Sequence, residues 1–472
     1  MKLQFLNKQP KKTNMHIFGF LPLISLQKAA AVMLMAACIL LTTCNQDPIF
    51  FAIMQEREIK DPRIEGSPTN MVIFEREYEY VDESDITHNV MVPSMYVASG
   101  SLHWYSADPA NPSEKPRWDR IWGKLPQPGG PIYSLATTSD SVTGDSLFAL
   151  CRASSSSTSV RLKRIKSTGP DSVAWETLSM PDSAEGRAYP NIQSIYASGD
   201  RLFICSSSRN MMNGDMSCAL FYLDDGGSPP VIKHIKSGIF LIRGAAYDGT
   251  NHYFCAVDMI GKDEKGRLYM IPDSDVPNPG GTSLTELKNF VTPTASYNIT
   301  FYGIISVESP GGIKNIVALD RSGNIYTVNA SGYTRSGKNM DTFSGAIAIW
   351  HNNIDEPALL LAGYQGVMTY TTSTGYTHGY RELDIKWDGS NSYLDIDNAS
   401  IHEPGTSGVF GVDATVDNNE RYLSTVGKYP INHMFQAPSS IDTEMTLFAS
   451  TAGKGLWSYR KRNSEWQWNA EE

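Results

Sequence analysis

The stretch LFASTAGKGLWSY at 447–459 contains one full copy of the pattern that decides the fold. A hydrophobic pair ends in the small residue Ala449, a glycine-containing turn follows, and the strand LWSY has apolar residues at its first and fourth positions. Seven copies occur between residues 95 and 460. Their small positions are Ala98, Ala149, Cys205, Cys255, Ala318, Ala362 and Ala449.

The strand after each small residue keeps the same form. The seven strands are LHWY at 102–105, LKRI at 162–165, LFYL at 220–223, LYMI at 268–271, IYTV at 325–328, VMTY at 367–370 and LWSY at 456–459. A repeat of this length indicates units that cannot bury their apolar faces alone and must stack on one another. Because strand signals dominate, the pattern predicts an all-β fold, a single β-propeller of four-stranded blades.

The number of blades depends on one long interval. Neighbouring small positions lie 44 to 63 residues apart, but Ala362 and Ala449 are separated by 87. The interval contains SGVFGVDATVDNNERYLSTVG at 407–427, which is either a degenerate eighth blade or an insertion in the sixth. The sequence favours seven blades and leaves eight open. Two hairpin loops, at 153–159 and 206–217, are long and polar, so we expect them at the surface.

The N-terminus has the features of an export signal. Residues 1–44 contain five Lys and no acidic residue, and they end in the apolar run AAAVMLMAACILLTT at 29–43. The run is shorter than the ~20 residues that a membrane-spanning helix needs. LTTC at 41–44 resembles a bacterial lipobox with Cys44 as the lipidated residue. We therefore predict a signal peptide at 1–43, a lipidated tether at 44–66 and the propeller at 67–470.

The charge of the chain excludes one class of partner. Forty Lys and Arg less the five in the signal leave 35 against 50 Asp and Glu, a net charge of −15 for the exported part. No basic stripe remains to neutralise phosphates, so we expect no nucleic-acid partner. Membrane attachment would depend on the acyl chains of Cys44. We expect the protein to be a monomer. We also expect it at the outer membrane rather than the inner one, because the residue after Cys44 is Asn45 and not the Asp that favours retention at the inner membrane.

The sequence offers few residues for chemistry. It contains no zinc-binding helix motif, nucleophile elbow or phosphate-binding loop, so we predict no cofactor. Asp395, Asp397, Asp413 and Asp417, together with Glu420, are weak candidates for a Ca²⁺ site, and a solvated charged insertion is the preferred interpretation. Cys205 and Cys218 flank one hairpin and are candidates for a disulfide, although each also fits a buried small residue.

Three segments carry a resemblance to a known group. NQDPIFFAI after the lipobox, KDPRIEGSPTN at 60–70 and the terminal LFASTAGKGLWSYR are similar to propeller-like lipoproteins of treponemal spirochaetes. The resemblance implies an envelope protein and supplies no catalytic residues. With no reactive centre in view, the sequence favours a non-catalytic binding or assembly platform for an envelope protein or glycan. The alternative is an envelope hydrolase or lyase with its site in the propeller funnel.

Overall fold

The described part of the chain forms seven four-stranded antiparallel sheets. Their strands all lie within one compact unit, Ile59–Glu472. The computed structural model describes residues 64–106, 117–118, 125–139, 145–154, 159–168, 174–209, 216–227, 229–258, 265–279, 283–288, 299–308, 314–321, 324–335, 343–350, 358–363, 366–370, 381–382, 431–437, 446–462 and 465–471. Within those ranges, no helix has the length and hydrophobicity to span a bilayer.

Each sheet is built from four strands that are consecutive in the sequence. Sheets 1 and 2 comprise β1 Val72–Val81, β2 Thr87–Ser99, β3 Ser101–Ser106, β4 Arg117–Trp118, β5 Ile132–Thr138, β6 Ser146–Arg152, β7 Val160–Lys166 and β8 Glu176–Leu178. Sheets 3 and 4 comprise β9 Asn191–Ser198, β10 Arg201–Arg209, β11 Met216–Asp224, β12 Val231–Ile239, β13 Leu241–Tyr247, β14 Asn251–Asp258, β15 Lys265–Pro272 and β16 Thr285–Glu286. Sheets 5 to 7 comprise β17 Phe301–Glu308, β18 Lys314–Asp320, β19 Ile325–Asn329, β20 Gly332–Arg335, β21 Phe343–Trp350, β22 Ala358–Gly363, β23 Gly366–Tyr370, β24 Arg381–Glu382, β25 Ile431–Ala437, β26 Thr446–Thr451, β27 Leu456–Arg462 and β28 Glu465–Ala470.

The sheets are arranged as the blades of a propeller. The first strand of each sheet contacts the first strand of the next, from β1 and β5 through to β21 and β25. The first strands are therefore the inner ones, around a common axis, and the fourth strands are the outer ones. The predicted all-β propeller with four-stranded blades is confirmed, with seven blades in the described residues. The alternative eighth blade at 407–427 falls outside them.

The repeated small residue lies in the second strand of each blade. Ala149, Cys205 and Cys255 are completely buried, as are Ala98, Ala318 and Ala449. Cys205 and Cys255 each belong to an apolar cluster that spans two neighbouring sheets. A small side chain is needed there because adjacent sheets pack face to face, which explains why this position marked the repeat in the sequence.

The ring closes without exchange of a strand between the first and last blades. An apolar cluster joins Met95, Val97 and Tyr105 of sheet 1 to Phe448 and Leu456 of sheet 7. The segment before β1, at the end of the predicted tether, adds backbone contacts to this seam. The amide of Leu456 donates to the carbonyl of Ile64 at 3.0 Å, and the Ser450 hydroxyl donates to the carbonyl of Pro68 at 2.8 Å.

The seam also contains a histidine that is sensitive to pH. The Met71 amide donates to Nδ1 of His433 at 3.3 Å, and burial lowers the pKa of His433 from 6.5 to about 4. Between these values the unfolded chain binds a proton that the folded chain does not, so stability falls as the pH falls and the loss is complete below about 4. We expect urea unfolding to give a free energy about 2 kcal/mol lower at pH 5 than at pH 7 from this group.

The variant His433→Gln provides the comparison. It keeps a side-chain acceptor near the Met71 amide but cannot be protonated, so its stability should change less between pH 7 and pH 5 than that of the native chain. An identical pH dependence in the two proteins would contradict the assignment to His433.

Blade 1 carries a hairpin that extends beyond its sheet. β2 pairs with β3 only from Met95 to Ser99. Its pairing with β1 covers the whole of β1 and reaches back to Thr87 of β2. The projecting part is acidic on one face, where Glu75, Glu77 and Glu79 are exposed. It also carries three of the five exposed large hydrophobic residues among the described ones, which are Val81, Ile86 and Met91.

The prediction for one of the two surface loops, 206–217, is wrong in part. Ser206, Ser207 and Ser208 belong to β10 and are at most 7% exposed, so this part of the predicted loop is a buried strand. The Ser206 hydroxyl donates to the carbonyl of Tyr189 at 2.8 Å. A buried hydroxyl is tolerated when it is hydrogen-bonded, so the three consecutive serines form part of the buried strand β10.

Candidate ligand-binding site

Six of the seven described inner strands contain a β-bulge near their N-terminal end. In β5 the register passes from Ile132 to Ser134 and leaves Tyr133 without a partner. The same shift skips Arg243 in β13 and Tyr302 in β17. It also occurs in β9 and β25, and β21 has a larger shift between Phe343 and Ile347. Bulges redirect side chains and are frequent at barrel rims and next to functional sites, so a bulge repeated around a ring indicates a functional surface.

The bulged residues lie at the same end of the channel. The seven blades have the same strand order, so their inner strands run in the same direction along the axis. Two inter-blade contacts agree with this for β9, β13 and β17: the Ser194 hydroxyl of β9 donates to the carbonyl of Ile242 in β13 at 3.1 Å, and the Arg243 guanidinium lies 5.3 Å from the centroid of the Tyr302 ring. In both cases the start of one inner strand contacts the start of the next. We call the five bulged residues with described side chains the mouth ring: Tyr133, Gln193, Arg243, Tyr302 and Asn432.

The mouth ring presents polar and aromatic groups that solvent can reach. Tyr133 is 46% exposed, Gln193 and Asn432 are exposed, and Arg243 and Tyr302 are half-buried. Gln193 is held by a hydrogen bond from its amide nitrogen to the Ser207 hydroxyl at 2.9 Å. None of these five described residues is a carboxylate, a histidine or a thiol, and their amide, guanidinium and phenol groups can hydrogen-bond or stack with a ligand.

The residue after four of the five mouth-ring bulges is small, and at Gly244 the reason is packing. Serine or glycine follows Tyr133, Gln193, Arg243 and Tyr302 in the sequence. At Gly244, a Cβ atom would lie 3.1 Å from the sulfur of Cys255 and 3.1 Å from a methyl group of Ile304 in the next blade. The inner strands therefore approach closely just inside the mouth, which holds the bulges in place.

Ser198, His252 and Asp273 form a hydrogen-bonded series that resembles a catalytic triad. The Ser198 hydroxyl is 2.9 Å from Nδ1 of His252, whose Nε2 is 2.9 Å from Asp273. Burial lowers the pKa of His252, although Asp273 opposes the shift. Ser198 and His252 are only 3% and 1% exposed, so substrate cannot reach the hydroxyl. The series connects sheet 3 to sheet 4 and has a structural role.

Two hairpin turns depend on a buried or half-buried aspartate. Asp248 accepts hydrogen bonds from the amides of Thr250 and Asn251 and from the Tyr253 hydroxyl. Burial opposes ionisation there, but these donors outweigh it and lower the pKa of Asp248. Asp320 repeats the arrangement with the amide and side chain of Asn324 and the hydroxyl of Tyr326. These carboxylates stabilise the two turns.

The four cysteines of the described blades are buried and free. Cys205 and Cys218 lie on adjacent strands, two positions out of direct register, because Cys205 pairs with Leu220 and Cys218 pairs with Ser207. A hydrogen bond to the Cys218 thiol, together with burial, raises the pKa of Cys205 well above its usual value. The two thiols are thus neighbours in the core, and their oxidation to a disulfide stays a prediction.

The other residues singled out in the sequence lie elsewhere. Cys44 and the acidic candidates Asp395, Asp397, Asp413 and Asp417 fall outside the described residues. In the part that the structure does describe, no group of three His, Cys, Asp or Glu side chains is placed to hold a metal ion. The sequence did not reveal the mouth ring, because a β-bulge is recognised only from how a strand pairs with its neighbour. The recurrence of apolar-x-small-apolar in IYSL, IQSI, IRGA and FYGI was its sequence signal.

The fold and the mouth ring define the class: a β-propeller whose inner strands present binding groups at one end of the channel. Solved structures similar to the chain include the β-propeller domain of the Trilobed protease from Pyrococcus furiosus (8% identity, 87% of this chain, 94% of that chain, TM-score 0.36). Another is Sqt1 from Chaetomium thermophilum (12% identity, 85% of both chains, TM-score 0.38). A third is an acylaminoacyl peptidase from Pyrococcus horikoshii (10% identity, 84% and 52%, TM-score 0.38). No family model and no curated protein sequence matches the chain.

Proposed function

We propose that this chain is a lipid-anchored protein of a bacterial envelope that acts as a non-catalytic binding platform, with its ligand held at the mouth ring. The observation that carries the proposal is the repeated bulge, which turns residues of five different blades toward one end of the channel. The predicted lipid at Cys44 would hold the propeller at a membrane, and the resemblance to treponemal lipoproteins supports the same location.

The alternative, an envelope hydrolase or lyase, has less support. Its best candidate is the series Ser198, His252 and Asp273, and burial closes that series to substrate. The mouth ring contributes Tyr, Gln, Arg, Tyr and Asn, whose amides, guanidinium and phenol rings suit hydrogen bonding and stacking. The acidic hairpin of blade 1 gives a binding platform a second exposed surface, with its apolar residues Val81, Ile86 and Met91.

A photo-crosslinking experiment in cells tests the binding site. A benzophenone amino acid placed at Tyr133 keeps an aromatic side chain at the mouth, and the same group at Val231, which is 50% exposed on an outer strand, is the matched control. We expect a discrete adduct from position 133 and none from position 231. Equal labelling from the two positions, or no adduct from position 133 in correctly localised protein, would contradict the proposal.

The membrane anchor is tested separately. The variant Cys44→Ala cannot be lipidated, so we expect it to leave the membrane fraction while its propeller still folds. Retention of this variant in the membrane fraction would show that another segment holds the protein there.

A further inference from the structure

Two arginines at the mouth have no carboxylate partner. Arg152 ends β6, and its Nε donates to the hydroxyl of Tyr133, with the guanidinium 5.6 Å from the centroid of that ring. Arg243 lies over Tyr302 in the same way, at 5.3 Å. In the described residues, the seven ion pairs of the blades do not include either guanidinium. The mouth therefore holds two cations without counter-charges.

Three other arginines in the blades do pair with carboxylates. Arg164 pairs with Glu176 and Asp225, Arg201 pairs with Asp273, and Arg267 pairs with Glu286. The chain has a net charge of −10, so acidic residues are abundant and a shortage of them does not explain why these guanidinium groups are unpaired. The guanidinium carbons lie 5.6 Å and 5.3 Å from the tyrosine ring centroids, and Nε of Arg152 also donates to the Tyr133 hydroxyl. The terminal N–H groups of both guanidiniums remain for a bidentate acceptor. Both arginines are thus oriented and still able to bind an anion.

The rest of the mouth ring narrows the ligand class. Asn432 is an exposed amide that can donate to and accept from hydroxyl groups. Gln193 donates to Ser207 and Asn191 and offers its amide oxygen as an acceptor. The ring of Tyr133 is 46% exposed. A sugar ring offers hydroxyls at its edge and an apolar C–H face that fits a tyrosine. Carboxylates match the geometry of guanidinium groups. Building on the proposed function, we propose that the mouth binds an oligosaccharide that carries carboxylate groups.

Calorimetric titration of the full chain, solubilised in detergent, tests this assignment with three probes. They are a hexamer of galacturonic acid, its fully methyl-esterified form, which keeps the rings but not the charges, and hexaglutamate, which keeps the charges but not the rings. We expect the hexagalacturonate to bind, with affinity that falls as NaCl is raised, and the other two to bind at least about tenfold more weakly.

Substitutions locate the binding. Arg243→Gln and Arg152→Gln should each weaken hexagalacturonate binding about tenfold or more. Lys314→Gln is the matched control, because it removes one positive charge from an exposed residue at the opposite end of blade 5. If a glutamine variant fails to fold, Arg243→Lys keeps the charge but not the planar fork and should show an intermediate loss.

Several results would overturn the assignment. Equal binding of the methyl ester would show that charge is not recognised, and equal binding of hexaglutamate would indicate an acidic peptide instead. No binding of any probe, with an adduct still forming at position 133 in cells, would refute the saccharide assignment and leave the platform intact. No binding together with no adduct would refute the proposed function as well.

Discussion

Replacing Phe448 by Ala is expected to lower the free energy of unfolding by about 3 to 5 kcal/mol. Phe448 is completely buried, and its ring packs edge-on against Tyr105 of the first blade at 5.6 Å between centroids. The cavity would open in the cluster that joins the first and last blades. In the described residues no strand is shared across that seam, so besides this packing the seam is held by hydrogen bonds to the segment before β1, such as that from Leu456 to Ile64.

Phe148→Ala is the matched control for this substitution. Phe148 is also buried, but it belongs to the cluster shared by sheets 2 and 3. Chemical denaturation should give comparable losses for the two variants. Hydrogen exchange should separate them, because only Phe448→Ala is expected to accelerate exchange in both sheet 1 and sheet 7. Unchanged protection in those two sheets would show that the seam is not the weak point of the ring.

Replacing Arg164 by Met is expected to lower the free energy of unfolding by about 3 kcal/mol. Arg164 is 3% exposed and links Glu176 of its own blade to Asp225 after β11 of the next blade. Removal of the cation leaves two carboxylates facing one another across the blade interface. Both are partly exposed, which limits the loss, because water can solvate them again.

Two further variants separate charge from packing. Arg267→Met breaks a pair whose members are 43% and 49% exposed, so its effect should stay below about 1 kcal/mol. The triple variant Arg164→Met, Glu176→Gln and Asp225→Asn removes all three charges and should recover much of the loss seen for Arg164→Met. Equal urea midpoints for Arg164→Met and Arg267→Met would rule out a special role for the buried ion pair.

Much of the fold could be predicted from the sequence because blade packing requires small side chains at fixed places. Ala149, Cys205 and Ala318 revealed the repeat, since neighbouring sheets leave room for little else there. The serines of β10 misled the prediction, because their hydroxyls are satisfied by contacts that are distant in sequence. Polarity alone therefore did not separate a loop from a buried strand.

The candidate site could not be predicted in the same way. Tyr133, Arg243 and Tyr302 occupy strands that looked like ordinary buried segments, and their exposure results from one extra residue against the partner strand. Pairing between strands decides where such a residue falls, and a single sequence does not specify that register. The pairing of Arg152 with Tyr133, rather than with a carboxylate, is likewise a product of the folded ring.

Because every blade is made from one continuous stretch of chain, the order of synthesis is also the order in which blades can form. Each sheet can pair its four strands as soon as they emerge and can stack on the preceding blade. Only blade 1 must wait: Met95, Val97 and Tyr105 stay uncovered until Phe448 and Leu456 have been made. The nascent chain therefore exposes an apolar face on blade 1, the first blade to be synthesised, until its last blade has been made. We expect a chaperone to bind that face.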